Sequence, residues 1–156
     1  MNEFTAKKLG EVLAFAKVGQ ETLEKGQSAL SSVLGEDEVE KMTSACEEHQ
    51  EVIMSLAKAE NVEEVVTKKM EATSEKLRKM RDLYVGEQWD NPTELLEWSG
   101  FFEGAALVHW SLVKGAGEAK NDPKLVDLAK IGFDFHQKFL DKATTLLHNV
   151  GKTKGI

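Results

Sequence analysis

The chain has little with which to staple, break or anchor itself: one cysteine, two prolines and one tyrosine in 156 residues. A lone Cys46 excludes an intrachain disulfide, and with it the disulfide-framed secreted scaffolds. Only Pro92 and Pro123 remove a backbone donor, so long helices are permitted almost everywhere else. No apolar run approaches the ~18 to 20 residues of a membrane span; Ala105–Val108 ends at His109. The first residues, MNEFTAKKLG, lack the apolar core of a secretory signal, which sets the cytoplasm as the expected compartment. Positive charge is in deficit as well, since 20 Lys and Arg against 27 Asp and Glu leave a net charge of −7. That is the wrong sign for nucleic acid or an anionic membrane as principal partner. Catalytic and nucleotide signatures are absent too: no GxGxxG, Walker loop, Gly-x-Ser-x-Gly, HExxH or EF-hand loop occurs.

What remains is amphipathic helix. A composition of 41% hydrophobic and 30% charged residues predicts one all-α domain over residues 1–156. A first helix is expected over about 5–34, stopped by Gly35, with a seam at Leu9, Val12, Ala16, Gly19, Leu23, Gly26, Leu30 and Val33. Its small residues leave room for a neighbouring helix to approach closely. Acidic residues from Glu36 to Glu40 open a helix over 37–59, with Val39, Met42, Cys46, His49 and Ile53 turned inward. The apolar stripe changes phase near Asn61, which predicts a break and a separate helix over 62–84 carrying Val66, Met70, Leu77, Met80 and Tyr84. Asp37 with Glu40, and Asn61 with Glu64, have capping-box spacing. One long helix with a phase slip is the alternative. Charged pairs such as Glu64–Lys68 and Glu75–Lys79 mark a solvated face.

Asn91, Pro92 and Glu94 open a helix over 92–116 whose apolar residues go right around the wheel. It is expected to lack a water-facing side, lying near the middle of the bundle or against another subunit. Asp122 and Pro123 open the last helix, over 123–150, with Lys130, Asp134, Lys138, Asp141 and His148 on its polar face. Short connections join these segments into an antiparallel up-down bundle of four to five helices.

Polar groups on apolar faces are the candidate site residues. His49, Glu103, His109 and His136 each need a partner, because burying such groups alone costs several kcal/mol. Iron, zinc or manganese are candidate ions for this set, with no metal as the default. Glu103 and His109 lie about 120° apart on one helix and do not reach a single ion together. Cys46 and His49 share a face, yet no second pair completes a zinc module. No catalytic residue or organic cofactor is assigned. Met42, Met70 and Met80 fall on stripes and are read as core.

The helical layout, with a carboxylate and histidines inside, resembles the ferritin-like four-helix-bundle superfamily. Di-iron members supply a Glu from each of two helices and a Glu-x-x-His pair from each of the other two. Here Cys46, Ala106, Phe133 and Thr145 stand three residues before the four histidines, so no family site transfers. The segment FDFHQKFLDKATTLL is similar to the closing helix of BAR-type dimers, which implies a dimer on a membrane surface. The first expectation from the residues is a non-catalytic protein that acts by association with an unidentified protein. A homodimer would form through an apolar helix face, with Trp98 and Trp110 in the core or interface. A ferritin-like metal-binding oxidoreductase or storage protein is the alternative.

Overall fold

The computed structural model describes residues 1–156 and contains helices only. In chain order they are α1 (Glu3–Lys25), α2 (Gln27–Leu34), α3 (Glu36–Ala59), α4 (Glu63–Val85), α5 (Pro92–Ala119) and α6 (Pro123–Lys154). None is long and apolar enough to cross a membrane.

The central element is α1. Every residue from Leu9 to Ala16 is buried, and α3, α4 and α5 all pack against it. Contact pairs give the directions. Gly10 lies on Val66 and Lys69 and Glu21 on Arg78, so α1 and α4 run parallel. Gly19 meets Cys46 while Met1 reaches Glu60, and Gly26 meets Leu95 while Glu11 faces His109, so α3 and α5 run the other way. α6 returns antiparallel to α5, with Gly117 on Val126, Gly132 on Trp110 and Glu103 on His136.

Close approach depends on glycine at two of these crossings. A Cβ on Gly10 would sit 2.6 Å from the Val66 carbonyl oxygen, and one on Gly132 would sit 2.2 Å from the Trp110 ring. Neither could be accommodated without separating the helices. The small residues foreseen in the first helix also serve this purpose, since a Cβ on Gly19 would already touch Phe102 at 3.4 Å.

Several expectations require correction. The first helix is two, divided at Gly26, where Leu95 of α5 reaches within 2.9 Å of the position a Cβ would take. The break near Asn61 is present, but Asn61 adopts φ 55° as the left-handed residue after α3, and no side chain caps α4. Gly35 precedes α3 likewise without a side-chain cap, so neither expected capping box forms there. Asn91 and Asp122 do cap: Asn91 accepts the N–H groups of Thr93 and Glu94, and Asp122 those of Lys124 and Leu125. α5 extends to Ala119 and α6 to Lys154, beyond the expected ends. Met80 is 56% exposed and lies outside the core.

The largest correction concerns α5, which has a water-facing side. Phe101, Val108 and Leu112 are 63%, 59% and 43% exposed. Its other face is buried against α1 and α6 through Leu95, Phe102, Ala106, Trp110 and Val113. Glu103 belongs to that buried face.

Candidate functional site

Three of the four expected site residues come together. His49 on α3, Glu103 on α5 and His136 on α6 are 6%, 4% and 2% exposed, which is core burial. The antiparallel crossing of α5 and α6 sets Glu103 against His136, whose Nδ1–H donates to the Glu103 carboxylate. The His49 and His136 rings lie with centroids 6.5 Å apart. Phe135 stands edge-on to both, at 5.3 Å and 5.0 Å, and Trp110 meets His49 at 6.2 Å. Aromatic walls on this scale shield the rings from water and limit their rotation.

Polar satisfaction is incomplete. The Glu103 hydrogen bond fixes the proton on Nδ1 of His136, leaving the buried Nε2 without a partner. His49 Nδ1 and the indole nitrogens of Trp98 and Trp110 are also buried and unpartnered. Native cores leave few such atoms, and those that occur mark strain or function. Burial, reinforced by His136, holds the His49 imidazole down at about 4, so it is neutral at physiological pH.

A small cavity of about 20 Å³ lies beside the pair, walled by Leu23, Leu95, Trp98, Phe102 and Phe139, with Glu103 and His136 on its polar side. That is room for about one water. Cys46 and Gly19 also line it, with the Cys46 Sγ 3.6 Å from where a Cβ on Gly19 would be. Burial, aided by the Glu103 charge, pushes the Cys46 thiol far up, so it remains protonated and unreactive.

His109 lies elsewhere, as the helical phase required. Its Nδ1–H donates to the Ala105 carbonyl at 2.7 Å, and its Nε2 faces Glu11 at 3.7 Å. Glu11, 7% exposed on α1, also accepts from Lys8 at 3.0 and 3.1 Å and lies 3.6 Å from Lys69. This second polar cluster was not anticipated. The signal was present, because Glu11 is the single polar residue between Leu9 and Ala16. The two clusters stay separate, and no three His, Cys, Asp or Glu side chains converge as a ready metal cage.

A third feature is the outer side of α5. Between Glu97 and Lys114 the only charged residue is Glu103, which turns inward. Gly100, Gly104 and Gly115 are open to space, with no atom within 4 Å of an added Cβ. The patch reaches α4 at Tyr84, whose ring lies 5.3 Å from Phe101; Met80 and Leu83 are further exposed apolar residues of α4. No family model, no curated protein and no solved structure matches this chain.

Proposed function

We propose that the protein acts by association, and that its first partner is a second copy of itself, docked on the outer face of α5. The observation that carries this reading is the exposure of Phe101, Val108 and Leu112 on a face of α5 that carries no charge between Glu97 and Lys114. Contiguous exposed apolar surface is unusual on a lone soluble domain and marks interaction sites. A second copy suits the face because knobs and hollows occur on it together. Around a two-fold axis the same patch meets itself, so Phe101 and Val108 of one copy can fill the openings at Gly100 and Gly104 of the other. A charged partner would bury its charges against a surface with nothing to pair them.

The finer architectural reading belongs with this proposal. α1, α3, α5 and α6 supply a ferritin-like antiparallel set, with α4 added parallel to α1. The cytoplasm is the place we assign, in keeping with a chain whose one cysteine makes no disulfide. No catalytic role is assigned.

Analytical ultracentrifugation of the tag-free protein, from low to high micromolar, tests the association. We expect a monomer–dimer equilibrium that Phe101→Glu and Val108→Glu each weaken at least about 100-fold, since a buried unpaired charge costs several kcal/mol. Circular dichroism should show both variants folded, because these side chains are exposed. A wild-type protein that stays monomeric throughout, or dimers unaffected by either substitution, overturns the reading. So does binding to anionic vesicles that Phe101→Glu abolishes, which would make the patch a membrane contact.

A further inference from the structure

We propose that the hollow between α3 and α6 binds a small carboxylate with an apolar body, seated between Lys41 and Lys138 over a floor of Met42, Ala45, Phe135 and Phe139. No residue of α5 lines this hollow, so the site is independent of the dimer reading.

The hollow exists because two neighbouring helices do not close on each other. α6 packs closely on α5 alone. Elsewhere in the fold a glycine lets two helices meet, but α3 has none, and Gly132 of α6 is taken up against Trp110. Side chains span the gap instead: Lys142 pairs with Glu38, and Phe135 stands edge-on to His49. What they leave open is about 140 Å³. An engineered protein cavity of ~150 Å³ accepts benzene, so a single ring or a short branched chain is the size of body that fits.

Burial and charge are graded across the hollow. Met42 and Phe139 are buried and Ala45 and Phe135 half-buried, whereas Lys41, Lys138 and Lys142 are exposed at its rim. Glu38 is the only carboxylate in the lining, and it is committed to Lys142. Lys41 and Lys138 pair with no carboxylate of the chain. Lys138 and Lys142 also stand one turn apart on α6, where like charges repel. In a chain of net charge −7, this is a local excess of positive charge that a bound anion neutralises.

Floor and rim together choose the ligand. A bare phosphate leaves the apolar floor wet, and a neutral ring leaves the ammonium groups unpaired. A carboxylate on an apolar body satisfies both. Lysine ammonium groups act as point charges, with no arginine fork in the lining to favour a phosphate. Because one side stays open to water, the expected dissociation constant is on the order of 0.1 to 1 mM.

The test titrates isotope-labelled full-length protein with phenylacetate and follows the backbone amide signals by NMR. Phenylacetamide is the neutral control, and inorganic phosphate the control without an apolar body. We expect saturable shifts centred on residues 38–45 and 135–142. Lys41→Gln and Lys138→Gln should each weaken binding about two- to fivefold, and added salt should weaken it in wild type. Glu38→Gln should bind at least as tightly as wild type, because it frees Lys142. Ala45→Phe fills the hollow and should abolish binding, with circular dichroism showing the fold kept. If that variant fails to fold, the Lys41→Gln, Lys138→Gln double variant decides, and binding at wild-type strength there overturns the site. No saturable shift up to roughly 10 mM phenylacetate overturns it as well. So does equal binding of phenylacetamide, which would mean that the lysines only cover the floor with their stems, and so does equal binding of phosphate. Binding retained in a folded Ala45→Phe places the ligand elsewhere, and tighter binding of a tetraglutamate peptide at the same residues makes the hollow a protein contact; either result overturns the proposal.

Discussion

His49 carries a cost that the fold bears because its ring is kept neutral. Burial, with His136 nearby, holds it at about 4, whereas the unfolded chain binds this proton near 6.5. Its folded pKa is the lower one, so the unfolded state takes up the proton first as pH falls. The stability is intact above about pH 6.5 and is lost progressively down to about pH 4. At about 1.4 kcal/mol per unit, the loss is on the order of 3 kcal/mol. Urea unfolding of wild type in chelator, compared with His49→Leu between pH 7 and pH 4.5, should show a midpoint that falls in wild type and falls less in the variant. Glu21, whose carboxyl the Arg78 hydrogen bond holds below its usual range, enters at the acid end in both proteins, so the difference between the two curves is the readout. Parallel curves would mean that His49 is not the titrating group. The histidine was legible in the sequence because it sits on the Met42, Cys46, Ile53 stripe. That Glu103 and His136, named with it, come to it while His109 does not was not legible, because it depends on the heights at which α3, α5 and α6 cross, and a wheel reports only angle.

At the scale of elements, the two short connectors between long helices use one device. In both, an Asn takes the left-handed conformation, Asn61 at φ 55° and Asn121 at φ 53°. The following N–H then reaches back over the helix end: Val62 donates to the Ala57 carbonyl and Asp122 to the Gly117 carbonyl, both at 2.9 Å. Asn tolerates this conformation better than a residue with an ordinary β-carbon, and glycine best of all. We expect Asn61→Ala and Asn121→Ala each to lower unfolding stability by about 1 kcal/mol, and the corresponding glycine variants to match or exceed wild type. Equal thermal midpoints for the alanine and glycine variants would show that the turn conformation is not what matters. The existence of the break at Asn61 followed from the phase change of the apolar stripe. Its chemistry did not, because Asn suits both a helix start and the position after a helix end, and Glu64 at capping-box distance favoured the wrong one.

At the scale of the molecule, α1 is buried all round from Leu9 to Ala16 and α5 carries apolar residues around most of its wheel, and only one of them can occupy the centre. α1 takes it, since glycines at positions 10, 19 and 26 let α4, α3 and α5 close on it together. α5 is left with one face outward, and that face repeats the same ingredients, large apolar side chains beside bare glycine. A pattern of residue types does not distinguish a helix enclosed by its own chain from one enclosed by a second chain; the distinction lies in how many neighbours the fold can supply. This gives a substitution that should separate stability from assembly. No atom lies within 4 Å of a Cβ added at Gly104, so Gly104→Leu starts without a backbone-proximal clash in the monomer and replaces glycine in a helix interior, an expected gain of up to about 1 kcal/mol. In a dimer the same leucine fills the hollow that receives the partner's side chains. The expected result is a higher thermal midpoint at concentrations where the protein is monomeric, together with a dimer dissociation constant raised tenfold or more by sedimentation. A variant that gains stability and dimerises as wild type would place the interface elsewhere, and one that loses stability as a monomer would mean that α5 is enclosed by its own chain after all.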